Sequence, residues 1–281
     1  MPTQRVPPFT LPGPDGFPLR GDLHLPAGPP RPPVLIVHGF KGFKDWGFMP
    51  LLAERLAGAG FPACRFNLSG SGLGEDSERF SEPARFEHNT YSREQRDIAH
   101  VLDALAAGEL PGLTAPAPRL GLLGHSRGGG GAILAAARDA RVAALVTWAA
   151  IARVDRYDAA TVAAWRRQGF LRVENARTGD VFALSPDLLD DIAAHAAALD
   201  ILAAAGRLRI PALVVHGEED ESVPIAEGAA IAAALGTRGR FLRVAGTGHT
   251  FGATHPMPAA LPAALETALA ATVAHFAAAL A

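Results

Sequence analysis

The segment Leu120–Leu134 reads LGLLGHSRGGGGAIL and sets a serine and a run of glycines between two apolar stretches. Residues 124–128 match the pattern G-x-S-x-G, directly after a strand-like run and before a helical one. In that setting the chain turns so sharply that the serine takes a strained backbone conformation and its hydroxyl stands clear of the sheet. Glycine otherwise weakens regular elements, so the cluster indicates a close approach of backbones. We therefore predict that Ser126 is a nucleophile.

The alternative for this segment is a glycine-rich turn that binds a phosphate at a helix N-terminus. Phosphate-binding turns of that kind carry G-x-G-x-x-G after the first strand, or a glycine-rich loop that ends in G-K-[ST]. Neither pattern is present in the chain, so the nucleophile interpretation is favoured.

Apolar strand-like segments and helical patterns alternate along most of the chain. Val34–Val37 is wholly apolar, which is typical of a strand buried on both faces of a parallel sheet. The turn signal at 13–16 predicts an antiparallel hairpin over residues 6–25. This order predicts an α/β fold with a mostly parallel sheet and helices on both faces. Further strands are predicted at 61–66, 119–124, 142–148, 212–216 and 240–244, and helices at 49–60, 91–107, 128–137 and 258–280.

Residues 150–205 depart from this alternation because they contain no convincing strand of the central pattern. Two helical stretches, 158–169 and 185–206, are separated by 170–184. An insertion of this length exceeds an ordinary loop, so we predict a small helical cap over the carboxyl end of the sheet. The predicted domains are a core of residues 1–149 and 206–281 and a cap of residues 150–205. An enlarged crossover helix without a role in substrate binding is the alternative.

Composition limits the class of protein. The 281 residues are 49% hydrophobic and 19% charged, with a formal net charge of −2, which is typical of a soluble globular protein. This charge gives no reason to expect a nucleic acid or an anionic membrane as a partner. The single cysteine, Cys64, excludes an internal disulfide framework and is expected to be a core residue. The first residues show no apolar signal region, so we expect a cytoplasmic protein. We also expect a monomer or a homodimer.

A serine nucleophile needs a general base, and the base needs a carboxylate that orients it. When such a turn is present, the order along the chain is serine, then acid, then histidine. His249 follows the last predicted strand and is the favoured base, whereas His255, just before a proline, is the competitor. The loop after the penultimate strand offers four candidate acids, and spacing alone does not decide between Glu218, Glu219, Asp220 and Glu221.

An oxyanion hole requires two backbone N–H groups that point at the developing negative charge. One is predicted from Arg127, which follows the nucleophile, and the other from Phe40 in the loop after Val34–Val37, with Lys41 as the second choice. His38 is expected to hold this loop. Aromatic residues predicted to line an apolar substrate pocket under the cap are Phe43, Trp46, Trp165, Phe170 and Phe182.

Five motifs in this order resemble the α/β-hydrolase superfamily over nearly the whole chain. They are HGF (38–40), FNLSGSGLGEDS (66–77), GHSRGG (124–129), HGEEDESVP (216–224) and GTGHTF (246–251). The resemblance implies a mostly parallel eight-stranded sheet, with Asp220 as the acid and His249 as the base. The opening hairpin and the HGF motif are similar to the dienelactone-hydrolase-like and serine-aminopeptidase-like branches. The cap looks like that of bacterial cinnamoyl and short-acyl esterases.

These residues predict a serine hydrolase that cleaves carboxylic esters through an acyl-enzyme on Ser126, without a metal or a cofactor. The expected substrate is a small-molecule ester with a small to medium acyl group or an aromatic group. An aminopeptidase-like amide hydrolase is one alternative, in which Asp187, Asp190 and Asp191 hold the charged end of a peptide. A catalytically silent binding protein with the hydrolase fold is the other.

Overall fold

The computed structural model describes residues 3–76, 78–175, 179 and 181–281. Its strands are β1 (Thr3–Arg5), β2 (Phe9–Leu11), β3 (Leu19–Pro26), β4 (Val34–Val37), β5 (Ala63–Phe66), β6 (Leu120–His125), β7 (Val142–Trp148), β8 (Leu171–Glu174), β9 (Val181–Leu184), β10 (Ala212–Gly217) and β11 (Gly239–Val244). Its α-helices are α1 (Met49–Gly58), α2 (Pro83–Glu87), α3 (Tyr91–Ala107), α4 (Arg127–Ala136), α5 (Ala159–Gln168), α6 (Asp187–Ala194), α7 (Ile201–Arg207), α8 (Ile225–Leu235) and α9 (Ala263–Ala279).

The main sheet has the strand order β1-β3-β5-β4-β6-β7-β10-β11, and β2 pairs with β3 beside this eight-stranded path. The pairs from β5 through β11 are parallel, whereas β1 and β2 pair antiparallel with β3, and β3 with β5. The mostly parallel sheet and the opening hairpin are therefore confirmed. Because β4 lies between β5 and β6, the chain reverses its direction of winding there, and a crevice opens at the carboxyl ends of β4 and β6.

Each face of the sheet buries its own apolar cluster under helices. Val34 and Ile36 of β4 pack with residues of α1 and α9, and Leu35 and Val37 pack with residues of α3 and α4. Successive side chains of a strand point to opposite faces, so a strand covered on both sides must be apolar at every position. Cys64 of β5 is also fully buried, and burial raises the pKa of its thiol.

Two helix predictions differ from the structure. The last helix begins at Ala263 and not at 258, because Pro262 occupies the position before its first turn, where a missing amide N–H costs no hydrogen bond. The predicted helix over 185–206 is two helices, α6 and α7. Asp200 begins the second of these, since its side chain accepts a hydrogen bond from the Ala203 N–H.

Residues 150–205 contain an additional small sheet that was not predicted. Strands β8 and β9 pair antiparallel with each other, apart from the main sheet. Partly buried Leu171 and Val173 alternate with exposed Arg172 and Glu174, so the period of a strand is present but short. Helix α7, at the end of this segment, packs against α4 and α8 beside the main sheet. No helix among the described residues is long and apolar enough to span a membrane.

Candidate active site

Ser126 stands at the turn between β6 and α4 with φ 58° and ψ −122°. A non-glycine residue rarely takes this conformation, which costs on the order of 1–3 kcal/mol. Main-chain hydrogen bonds hold it in place. The Ser126 N–H donates to the Trp148 carbonyl at 2.8 Å, and the Ser126 carbonyl accepts from the Gly129 N–H at 2.9 Å. The neighbouring strand and the first turn of the helix therefore impose the strained conformation.

The glycines on either side of Ser126 lie where backbones meet. A Cβ atom added at Gly124 would lie 2.1 Å from the Gly128 carbonyl oxygen, and one added at Gly128 would lie 2.3 Å from the His38 carbonyl oxygen. Both distances are far below van der Waals contact, so only glycine fits. The close approach at Gly128 also brings the end of β4 against the start of α4.

His249 connects Ser126 to Asp220. Its Nε2 lies 3.0 Å from the Ser126 hydroxyl oxygen, and its Nδ1 lies 2.8 Å from an Asp220 carboxylate oxygen. With the serine hydroxyl as donor to Nε2, the ring proton is on Nδ1 and is donated to the carboxylate. His255 lies elsewhere, since its Nδ1 accepts a hydrogen bond from the Gly47 N–H at 3.1 Å.

Asp220 is buried in the loop after β10 and is held from several sides. The N–H groups of Ser222 and Val223 each donate to one carboxylate oxygen at 2.9 Å. His216 Nε2, which donates to the Val223 carbonyl at 2.8 Å, lies 3.3 Å from the other oxygen. Burial alone would raise the pKa of Asp220, but hydrogen bonds from His216, His249 and Val223 outweigh it and hold the pKa well below its usual value. Asp220 is therefore ionised at neutral pH.

Two further histidines support these loops in their neutral form. His125 Nε2 lies 3.0 Å from the His249 carbonyl oxygen, and burial lowers the pKa of His125 to about 3. His38 accepts a hydrogen bond from the Leu68 N–H and donates to the Gly39 carbonyl, and burial lowers its pKa to about 4. The role of His125 was not predicted, because nothing in the sequence indicates which backbone its ring meets.

The two residues predicted for the oxyanion hole lie beside Ser126. Arg127 is the first residue of α4, where backbone N–H groups have no partner within the helix. Its side chain turns away to the Glu94 carboxylate at 3.0 Å. A Cβ atom at Gly39 would lie 2.9 Å from the Ser126 Cβ, so the loop that contains Phe40 lies directly against the serine.

A cavity of about 210 Å³ opens above Ser126 and His249. Its described wall includes Phe40, Trp46 and Met49 on the apolar side. Polar side chains in the wall come from Lys41, Asn175 and Thr250.

Of the five aromatic residues predicted for the pocket, the structure places Trp46 in this wall and the other four outside its described part. Phe43 is fully buried against the His255 ring, and Trp165 is buried with its indole N–H bonded to the Leu184 carbonyl. Phe182 packs between Phe80 and Phe86, and Phe170 is 40% exposed. Three of these residues therefore pack inside the protein, and one faces solvent.

The acidic residues considered for binding a peptide amine also have other partners. Asp187 lies 2.7 Å from His88, and Asp190 pairs with Arg166 at 2.8 Å. Asp191 accepts a hydrogen bond from the Ser92 N–H at 3.0 Å. None of the three belongs to the described wall of the cavity at Ser126.

A larger cavity, of about 540 Å³, lies away from Ser126. Its walls come from the proline-rich loop before β4 and from residues 112–119 before β6, at the amino ends of these parallel strands. Ligands of such sheets bind outside the carboxyl ends, so the smaller cavity at Ser126 is the candidate site.

Comparison with known protein sequences identifies the family of this chain. The family described as Serine aminopeptidase, S33, matches residues 28–178, which is more than half of the chain. A curated relative, 2,6-dihydropseudooxynicotine hydrolase from Paenarthrobacter nicotinovorans, is 24% identical over 213 residues, or 75% of this chain. The matched region spans only 50% of that relative's length.

Solved structures share the fold at low sequence identity. Est1E from Butyrivibrio proteoclasticus superposes with a TM-score of 0.68 at 20% identity, over 97% of this chain and 98% of that one. A dienelactone hydrolase from Anabaena variabilis superposes with a TM-score of 0.66 at 20% identity, over 99% of both chains. Together with the family match, the fold shows that the chain belongs to the serine aminopeptidase S33 family of the α/β-hydrolase superfamily.

Proposed function

We propose that this protein hydrolyses carboxylic esters, with Ser126 as the nucleophile, His249 as the general base and Asp220 as the orienting acid. The observation that carries this proposal is the continuous hydrogen-bond series from the Ser126 hydroxyl through His249 to Asp220. Ser126 Oγ attacks the ester carbonyl carbon while its proton passes to His249 Nε2. The imidazolium, stabilised by the Asp220 carboxylate, then protonates the departing alcohol. A water molecule that gives its proton to His249 cleaves the acyl-enzyme.

The backbone N–H groups of Arg127 and Phe40 are our proposed donors to the oxyanion. The position of Arg127 at the helix N-terminus and the contact of the Phe40 loop with Ser126 support this assignment. Loss of one such donor typically lowers the rate by about 10²–10³-fold.

An ester fits the cavity better than a peptide. The acidic residues that would bind a peptide amine pair with other groups away from the described wall, and the one permanent charge in that wall belongs to Lys41. Est1E, which shares the fold, has been solved with ferulic acid bound, so aromatic esters belong in a substrate panel.

We propose that residues 150–205 act as a cap on this site. The end of β8 reaches the cavity, because the Glu174 carbonyl accepts a hydrogen bond from the Lys41 ammonium at 2.9 Å and Asn175 belongs to the cavity wall. A cap that contributes part of the wall would help to decide which acyl groups fit.

The test is hydrolysis of the p-nitrophenyl esters of acetate, butyrate, octanoate and cinnamate. We expect turnover by the wild type, with acetate and butyrate preferred over octanoate because the cavity holds about 210 Å³. The variants Ser126→Ala and His249→Ala should lower kcat by about 10⁴–10⁶-fold. His255→Ala is the matched control and should keep activity within about tenfold of the wild type.

Two results would contradict the proposal. If the wild type hydrolyses none of these esters, the esterase assignment fails. If His255→Ala loses as much activity as His249→Ala while both variants remain folded, the assignment of His249 as the general base is contradicted.

A further inference from the structure

Lysine is nearly absent from this chain. Of its 26 lysine and arginine residues, the only two lysines are Lys41 and Lys44, and both lie between β4 and α1. All other permanent cations in the sequence are arginines. A compact ammonium and a planar guanidinium recognise different geometries. Lysine at these two positions is therefore not explained by the general composition of the chain.

The two lysines have different surroundings. The Lys44 ammonium lies 2.5 Å from the carboxylates of both Asp22 and Asp45, in a buried group of charges. This cluster gives Lys44 a structural role. Lys41 instead lines the Ser126 cavity, and its ammonium donates to the Glu174 backbone carbonyl at 2.9 Å.

Lys41 occupies a backbone position that favours glycine. The Gly42 N–H donates to the Gly39 carbonyl at 3.0 Å and closes a four-residue turn in which Lys41 is the third residue. Its φ is 58°. Glycine or asparagine is usual at a third turn position with positive φ, because a Cβ atom is strained there. A lysine in this place costs folding free energy, which points to a use for its side chain.

The described part of the cavity wall carries a positive charge. Among the described residues of that wall, Lys41 is the one with a permanent charge, and no carboxylate side chain is present. Burial keeps His38 and His125 neutral by lowering their pKa values to about 4 and about 3. Burial also lowers the pKa of Lys41, and the nearby Glu174 carboxylate opposes this shift. Lys41 is therefore the permanent cation among the described surroundings of a substrate in this cavity.

We propose that Lys41 binds a carboxylate on the substrate, so that the preferred substrates are esters that also carry a free carboxylate group. The proposal rests on the esterase function proposed above and defines its substrate class. An ammonium has three N–H donors, and one of them is given to the Glu174 carbonyl. The others can bind the substrate carboxylate in charge-assisted hydrogen bonds, which are stronger than neutral ones.

Substitution of Glu174 should change the preference for anionic esters in the opposite direction to substitution of Lys41. Its side chain is exposed and its carboxylate interacts with the Lys41 ammonium, so it competes with a substrate carboxylate for the same cation. Removal of the Lys41 charge should abolish the preference for anionic esters, whereas Glu174→Gln should increase it.

The experiment compares each anionic ester with its carboxamide analogue, by proton release in a pH-stat. Monoethyl glutarate and its carboxamide place the test group in the acyl part, and 4-acetoxybenzoate and 4-acetoxybenzamide place it in the alcohol part. For each pair, the ratio of kcat/KM values is measured in the wild type, Lys41→Met, Lys41→Arg and Glu174→Gln. Dividing the ratios between variants cancels the intrinsic reactivity of the esters.

We expect Lys41→Met to lower the anionic-to-neutral ratio at least about tenfold for one of the two pairs. Lys41→Arg, which keeps the charge, should retain part of the preference, and Glu174→Gln should raise it several-fold. Arg55→Met is the matched control, because it removes one positive charge from an exposed ion pair with Glu266 and should change the ratio less than about twofold.

The outcomes separate the two proposals. If the wild type hydrolyses these esters and Lys41→Met leaves both ratios unchanged, the role of Lys41 is overturned and the esterase function stands. If the wild type hydrolyses none of them, the p-nitrophenyl ester panel decides whether the esterase function stands. Calorimetric binding of monoethyl glutarate to Ser126→Ala then decides the role of Lys41. Binding at least tenfold weaker in Ser126→Ala/Lys41→Met supports the carboxylate site, and equal binding overturns it.

Discussion

Two neighbouring loops at the carboxyl edge of the sheet each hold a non-glycine residue at φ 58°, Ser126 after β6 and Lys41 after β4. Main-chain contacts hold the Ser126 turn, through the Trp148 carbonyl of β7 and the first turn of α4. The Lys41 turn has one hydrogen bond of its own, from the Gly42 N–H to the Gly39 carbonyl. The rest of its loop is anchored a few residues later by charged side chains.

That anchor is a buried group of two cations and two carboxylates. Lys44 and Arg65 pair with Asp22 and Asp45, and the Arg65 guanidinium also donates to the Lys44 carbonyl at 2.9 Å. A conformation that main-chain packing imposes is sensitive to added atoms, whereas one that buried charges impose is sensitive to lost charge. Different substitutions should therefore destabilise the two loops.

The largest effect is expected where backbones touch at the Ser126 turn. Gly128→Ala places a Cβ atom 2.3 Å from the His38 carbonyl oxygen, and neither backbone can move without disturbing β4 or α4. We expect a loss of at least about 4 kcal/mol in the free energy of unfolding, measured by urea denaturation. Gly28→Ala is the control, because its Cβ meets nothing within 4 Å. Equal stability of the two variants would show that the turn is not set by main-chain contact.

The second effect concerns the charges that anchor the Lys41 loop. Lys44→Met removes one of the two cations from this buried group and leaves its carboxylates with less compensating charge, so we expect a loss of about 3–5 kcal/mol in the free energy of unfolding. Arg55→Met, which breaks an exposed pair with Glu266, should cost no more than about 1 kcal/mol. Similar losses for both variants would contradict the anchoring role of the buried cluster.

A third loop, after β5, extends the comparison to a buried acid. Asp97 of α3 accepts hydrogen bonds from the Ser69 N–H and hydroxyl, both at 2.8 Å, yet burial raises the pKa of Asp97 to about 6. Because the folded pKa lies above the unfolded value of 3.8, the folded state binds this proton more tightly. The resulting stabilisation is complete below about pH 4 and is lost as the pH rises through about 6.

The variant Asp97→Asn removes this titration. The free energy of unfolding of the wild type, relative to that of the variant, should therefore fall by about 2–3 kcal/mol between pH 4 and pH 7. Denaturation curves at several pH values measure this difference. Asp155→Asn, at an exposed position, is the matched control over the same range. A flat difference for Asp97→Asn would mean that its carboxyl is not perturbed by burial.

The smallest effect tests the strain itself at both turns. Glycine has no Cβ atom and accepts positive φ, so Ser126→Gly and Lys41→Gly should each raise the free energy of unfolding by about 1 kcal/mol. Ser126→Ala and Lys41→Ala keep the Cβ atom and serve as controls that should stay near the wild type. If the glycine and alanine variants at either position have the same free energy of unfolding, the backbone of that turn is not strained.

Much of the core fold could be predicted from local patterns. The helix at 91–107 and the strand at 142–148 have the predicted bounds, because strands covered on both faces are apolar throughout and a helix with one buried face shows a clear period. Strands β8 and β9 were missed because each is short and only partly buried, unlike the wholly buried β4 and β5. Small two-stranded sheets depend on packing against the rest of the protein, so their local signal is weak.

The aromatic residues show the limit of sequence analysis for the cavity. Phe43, Trp165 and Phe182 are of the aromatic type that commonly lines ligand pockets, but they pack in the interior. Trp46 belongs to the cavity wall. A large apolar side chain has the same reason to leave water in a core as in a pocket. Only the three-dimensional packing distinguishes the two.

The sequence by itself determined the alternation of strands and helices in the core and the serine, acid and histidine candidates that follow β6, β10 and β11. These features are local, since burial selects apolar residues and sharp turns select glycine. The tertiary structure decided that His125 supports the His249 backbone and that Lys41, a residue of the cavity wall, binds the Glu174 carbonyl. Lys41 and Glu174 are 133 positions apart, so their contact depends on how distant segments pack, which no local pattern records.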